Sequence, residues 1–258
     1  MQRSTVGSLL RSTQAFCGQL CEKETLEYGI AFYCPRYPDL VEANQFREVM
    51  MPNSAPLARA FEQCEAWFAE RNLRCRRWAP AGGTAAPELR GFLLEHGFQT
   101  REWTALAAVR WVDLRAGGDV RILPARALRA AYRDTFLQAT SPASEHERVV
   151  LADAYAERLD DPPFDMFVAL CEGRPAGRCA LYQVGDIARV MDLTVLDAFE
   201  GRGVETTLLA HVLALAKRLA MRNICAQVES GEAHQLAWFT AAGFEPDGAI
   251  SEFERPKQ

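Results

Sequence analysis

The chain has 258 residues, 49% of them apolar and 24% charged, with a formal net charge of −5. This is ordinary globular composition, which argues against a disordered chain, and the acidic balance disfavours a nucleic-acid binder. No apolar run approaches the ~20 residues of a membrane span; the longest, Leu208 to Ala216, is broken by His211 and stopped by Lys217.

The start of the chain carries Arg3 and Arg11 and no long apolar run, so no export signal is expected and the cytoplasm is the expected location. The aromatic-rich segment Tyr28 to Pro38 reads as a hairpin packed on the neighbouring domain. Phe61 to Arg71 has a helix pattern and is followed by Asn72-Leu-Arg-Cys75 as a strand. Pro87 to His96 is a second helix, followed by Gly97-Phe98 and a strand-like tail. Trp67, Trp78, Trp103 and Trp111 would supply a large core for this half. The polar, Gly-paired stretch Asp113 to Asp119 is the expected linker, dividing residues 1–114 from residues 119–258.

In the second half, Val120 to Leu123 reads as a strand, and Pro124 to Leu137 and Glu145 to Leu159 as helices. Asp160-Asp-Pro-Pro163 stops the second helix. Phe164 to Cys171, Ala176 to Val184 and Ala188 to Leu196 are strands, separated by turns at Glu172 to Pro175 and at Gly185-Asp186. Gly201 to Gly203 opens a long helix whose apolar stripe is Val204, Leu208, Val212, Leu215 and Leu219. Asn223 to Val228 is a strand, Ala233 to Ala242 a helix capped by Gly243, and Phe244 to Glu254 a last strand or hairpin. The order β-α-α-β-β-β-α-β-α-β makes the fold class α/β, a mixed sheet with helices on its faces.

Residues 61–110 repeat the order of residues 209–255: helix, strand, helix, Gly-Phe, strand. Four features in one order make duplication the better account than chance. The first copy has Met51-Pro-Asn-Ser-Ala-Pro56 where the second has its glycine turn. The eight cysteines form no Cys-x-x-Cys pair and have no His at ligand spacing, so no metal site is expected. They read as small buried hydrophobes with reduced thiols.

The most informative stretch runs from Asp192 to Leu209: a strand, a Gly-x-Gly turn, then a long helix. Glycines let backbone N–H groups approach an anion, and the helix start adds partial positive charge, a construction that suits a pyrophosphate.

From Phe167 to about Phe253 the chain resembles the GNAT superfamily of acyl-CoA-dependent N-acyltransferases. Glu200-Gly201-Arg202-Gly203-Val204-Glu205 stands at the family's Arg/Gln-x-x-Gly-x-Gly/Ala turn. On the last helix Glu232 stands for an Asn, Ala233 follows it, Phe239 stands for a Tyr, and Gly243-Phe244 matches. The resemblance implies the GNAT fold in two tandem halves, the first a degenerate copy. It implies acetyl-CoA, or another acyl-CoA, as co-substrate and a primary amine on a small molecule or protein as acceptor. Backbone groups of Leu193, Thr194 and Val195 would hold the pantetheine, and Gly201, Arg202, Gly203, Val204, Glu205 and Thr206 the pyrophosphate, with Phe239 nearby. Asp192 is the candidate base and Glu229, at the end of the next strand, a second one.

Three residues depart from the pattern. Glu200 and Glu205 place acid at the phosphate turn, and Phe239 has no hydroxyl with which to protonate a leaving thiolate. A carboxylate ~6 Å from a phosphate costs on the order of 1–2 kcal/mol, and Arg202 could neutralise one of the two. These departures keep open a catalytically inactive GNAT fold used for ligand sensing or protein interaction. No nucleic-acid or membrane partner is expected, and the protein is a monomer or homodimer.

Overall fold

The computed structural model describes residues 4–51, 57–114, 117, 119–139 and 144–256. They form two compact units, residues 1–104 with 248–258 and residues 105–247. The division passes through two strands, Gln99–Ala108 and Phe244–Glu254, each of which contributes to both units. The expected linker at Asp113–Asp119 lies beyond the first of these crossings, with Arg115, Ala116 and Gly118 outside the described residues. Among the described residues no helix is long and apolar enough to cross a membrane.

The first unit begins with a helix absent from the expected elements, α1 (Thr5–Leu20), capped by the Ser4 hydroxyl, which accepts from the Gly7 amide. β1 (Glu22–Leu26) and β2 (Gly29–Tyr33) form an antiparallel hairpin, and β3 (Gln45–Val49) pairs with β2. Gly29 is required there: a Cβ would lie 2.7 Å from the Arg47 carbonyl oxygen. α2 (Leu57–Ala69) buries Ala60, Cys64 and Phe68, one residue per turn on one face. The strand expected at Asn72–Cys75 starts later, as β4 (Arg77–Pro80). Asn72 turns the chain at φ +55° and the Leu73 amide still bonds back to Phe68, so extension begins only past Cys75. α3 (Pro87–Glu95) leads through Gly97, at φ +80°, into β5 (Gln99–Ala108). The core holds Phe46, Phe68, Trp78, Leu93, Phe98 and Phe253.

The second unit follows the expected order. β6 (Val120–Pro124) is succeeded by α4 (Arg129–Leu137) and α5 (Glu145–Glu157), the latter opened by a capping box of Ser144 and Glu147. β7 (Phe164–Cys171), β8 (Arg174–Val184) and β9 (Ile187–Val195) form an antiparallel meander with β6 on its outer side. α6 (Val204–Arg218), β10 (Asn223–Glu229), α7 (Ala233–Ala241) and β11 (Phe244–Glu254) complete it.

The apolar stripe of α6 differs from expectation. Val204, Leu208 and Val212 are buried, but burial then moves to Leu209, Leu213 and Ala216, and Leu219 is 43% exposed. Leu219 is the C-cap of α6, one residue past the last helical position, so the stripe's final member lies beyond the segment that packs on the core.

The two units share local conformations that need a left-handed residue. Asn72 and Ala220 follow α2 and α6 at φ +55° and +52°, and Gly97 and Gly243 precede β5 and β11 at +80° and +92°. Glu48 in β3 and Asp192 in β9 have φ +54° and +52°.

Candidate functional site

The site is built where β9 and β10 part. These parallel strands are paired from Ile187↔Asn223 to Arg189↔Cys225. Beyond that point β9 continues to Val195 and β10 to Glu229, without further pairing between them. β9 meanwhile stays bonded to β8 on its other side as far as Val195↔Gly177. A wedge therefore opens at the carboxyl ends of two parallel strands, where α/β sheets bind ligands. Leu193, Thr194 and Val195 lie on its β9 wall. The side chains of Leu193 and Val195 are in the core, so what they offer a ligand is backbone.

Opposite the wedge, β9 carries a bulge. Arg178 faces Thr194 and Ala180 faces Met191, so Cys179 alone is matched against Asp192 and Leu193. Gly177 lets the strands close behind it: a Cβ would lie 2.5 Å from the Thr194 carbonyl oxygen and 3.2 Å from Val204.

Gly201 and Gly203 take φ +71° and +74°, and Gly203 is the N-cap of α6. The first helical bond runs from Thr207 N–H to the Gly203 carbonyl at 3.0 Å, so the amides of Val204, Glu205 and Thr206 have no partner within the helix. Val204 is fully buried and anchors the helix start; Gly201 and Arg202 are exposed. Arg202 neutralises neither Glu200 nor Glu205: its guanidinium pairs with Glu172, both side chains being solvent-accessible. One carboxylate oxygen of Glu205, Oε2, is buried without a hydrogen bond. Thr207 and Gly117 also belong to this turn, unmarked by any sequence motif. The Thr207 hydroxyl donates to the Gly203 carbonyl at 2.8 Å and accepts from the Gly117 amide at 2.9 Å.

Asp192 points away from solvent, into a polar cluster under α4. Its Oδ2 accepts from Arg178 Nε at 2.7 Å and its Oδ1 from the Thr194 hydroxyl at 3.3 Å. Arg178 Nη1 in turn donates to the Thr135 carbonyl at 2.8 Å, and the guanidinium lies 3.7 Å from the centre of the Phe136 ring. The side chains of Arg178 and Asp192 are 8% and 16% exposed. Both Asp192 oxygens are thus engaged within the protein. The Tyr132 hydroxyl is buried without a partner, and burial, then the Asp192 charge, raises its pKa. Burial, with the same charge, also raises the thiol of Cys179, which is unsuited to act as a nucleophile.

Glu229 ends β10 on the far wall of the wedge and its carbonyl caps the following turn, accepting from Glu232 at 3.0 Å. Phe239 is 3% exposed and packs edge-on against Phe244, 5.2 Å between centroids, as a core residue. His211 is half-buried against Phe167, at 4.4 Å, which lowers its pKa.

The first unit has no equivalent opening among its described residues. There β3 and β4 are paired at Gln45↔Arg77 and Phe46↔Trp78 and, after a register shift, again at Val49↔Pro80. The segment Pro52 to Pro56, which precedes α2, lies outside the described residues.

Residues 126–244 match the acetyltransferase (GNAT) family. No curated protein matches the chain in sequence. A functionally unknown conserved protein from Staphylococcus epidermidis ATCC 12228 superposes with a TM-score of 0.76 at 15% identity, over 92% of this chain and 95% of that one. A GCN5-related N-acetyltransferase from Kribbella flavida gives 0.68 at 14% identity, over 100% and 97%. A second, from Sphaerobacter thermophilus, gives 0.60 at 13% identity, over 97% and 93%. At these identities the likeness is one of fold.

Proposed function

We propose that this chain, which carries a GNAT acetyltransferase domain over residues 126–244, is an acyl-CoA-dependent N-acyltransferase moving an acetyl group to a primary amine. The observation that carries this is the wedge between β9 and β10, with the unpartnered amides of the α6 start beside it. Extended backbone on one wall suits the amide groups of a pantetheine arm, as an added strand would. Amides at a helix start, reached through two glycines, suit a pyrophosphate. The backbone of Leu193 to Val195 and the turn Gly201 to Thr206 would hold the CoA moiety, whose thioester supplies the activated acyl group.

The remaining chemistry belongs to the chain. Asp192 braces the bulge rather than taking the amine proton, because both its oxygens are already committed to Arg178 and Thr194. The proton leaves through water or to Glu229 across the wedge. Phe239 donates no proton, and none is required, since a thiolate is an acceptable leaving group. The first unit, whose β3 and β4 pair again at Val49↔Pro80 after a register shift, is a degenerate copy in this reading. Candidate acceptors are small-molecule amines or protein amines.

One observation favours the second reading, an inactive ligand-sensing or interaction module. The buried, unpartnered Oε2 of Glu205 sits in the first turn of α6, where an acid stabilises an empty helix start. Calorimetric titration with acetyl-CoA, followed by an amine-acceptor screen, separates the two. Micromolar binding and turnover support the transferase; if only Glu205→Gln binds, the site has been closed by that charge. A carboxylate near the phosphates costs about 1–2 kcal/mol, so the variant should bind roughly tenfold more tightly than wild type.

A further inference from the structure

In the first unit the fold brings together three metal-binding side chains that the sequence separates. Cys64 and Glu65 lie on α2, and Cys75 precedes β4. Their donor atoms, two sulfurs and a carboxylate oxygen, all lie within 4.8 Å of one another. Both cysteines are fully buried.

The carboxylate is divided in its use. Glu65 Oε2 accepts from Arg255 Nη1 at 2.8 Å, while Oε1 is buried and has no hydrogen-bond partner. An orphaned buried oxygen of this kind is destabilising unless something satisfies it. Arg255 is itself fixed, 10% exposed and 4.6 Å from the centre of the Phe98 ring. A carboxylate oriented through one oxygen by a neighbouring cation, with the other left for an ion, is how metal sites hold acidic ligands. In the metal-free state the Cys75 thiol donates to the Arg77 carbonyl at 3.4 Å.

We propose that Cys64, Cys75 and Glu65 Oε1 bind a zinc ion that pins α2 to the start of β4. The charges close. Two thiolates and a carboxylate carry three negative charges, and a divalent ion with Arg255 supplies three positive ones. The donor set selects the metal, since paired thiolates favour zinc over magnesium or calcium. Zn–S of about 2.3 Å and Zn–O of about 2.0 Å set tetrahedral ligands roughly 3.5–4 Å apart, so the donors need to close by about 1 Å at most. A cavity of about 350 Å³, lined by Glu65, His96 and Arg255 among others, lies on the Glu65 side of the cluster. Binding releases the two thiol protons to solvent.

The test uses the full chain, purified reduced and stripped with a chelator, then titrated with Zn²⁺ against a chromophoric chelator and with Cd²⁺ for the thiolate charge-transfer band. One equivalent bound, a raised Tm, and at least tenfold weaker binding in Cys75→Ser and in Glu65→Gln are expected. Cys171→Ser, in the other unit, should bind as wild type. Glu65→Gln serves if Cys75→Ser fails to fold, because the amide keeps the shape of the side chain. No binding, or one equivalent that survives both variants, overturns the proposal.

Discussion

The ion pair between Arg178 and Asp192 is the sharpest place to separate a brace from a base. Removing one partner of a buried pair destabilises by about 3–5 kcal/mol, because the other charge is left without compensation. Backbone strain adds to this. Asp192 has φ +52°, a conformation that Asn tolerates, Gly takes freely, and Ala adopts only at about 1–2 kcal/mol. Asp192→Asn keeps an oxygen for Arg178 Nε and loses the charge, a change of about 1.5–3 kcal/mol for a hydrogen bond to an ionised group. Destabilisation in urea should therefore rise from Asn to Gly to Ala. Turnover provides the second readout. A brace predicts that Asp192→Asn keeps most of kcat with an unmoved pH profile, whereas removing a general base costs 10²–10⁴-fold. A loss of that size in a folded Asn variant would refute the bracing role, and an Ala variant no less stable than the Gly variant would refute the backbone strain.

Gly177→Ala should destabilise by about 1–3 kcal/mol and weaken acetyl-CoA binding, since its Cβ meets the Thr194 carbonyl at 2.5 Å and must push β9 into the wedge; unchanged Tm and affinity would count against the close approach. All eight cysteines are buried and none is in a disulfide, so Ellman's reagent should find no rapidly reacting thiol in the native protein and eight in denaturant. Burial lowers the His211 pKa, so the unfolded chain binds more protons there than the folded one. Its contribution is full above the unfolded value of about 6.5 and is lost as pH falls through it toward the lower folded value. Urea midpoints between about pH 5 and 7 should fall less steeply in His211→Gln than in wild type.

What the sequence made legible was local. β7 and β11 occupy the spans their alternation and flanking turns indicate, and the Gly201–Gly203 turn announces itself because only glycine takes φ above +70° without strain. The partner of Asp192 was hidden, because Arg178 meets it only across a bulged ladder whose register no single strand encodes. Cys64 and Cys75 were hidden for a similar reason: their meeting depends on the turn at Asn72, which brings the chain back along α2. The hairpin of β1 and β2 is half exposed along Glu22 to Leu26, so its pattern is polar and weak.

The proposed cofactor cleft rests on strand pairing more than on side chains. Both have a non-glycine residue in the left-handed region of the strand before their long helix, Glu48 in one and Asp192 in the other. Both then send a parallel strand alongside. In the first unit that ladder shifts register between Phe46 and Val49 and then resumes at Val49↔Pro80, the end of both strands. In the second it stops at Arg189↔Cys225, and the groups beyond must bond to water or to a ligand. Pro80 sharpens the contrast, since it lacks an N–H and could offer an extended ligand only a carbonyl. Both ladders carry an irregularity beside the left-handed residue, so what sets the second unit apart is where its ladder ends. Arg178, buried beneath α4 and remote from the glycine turn in sequence, holds Asp192 at that irregularity.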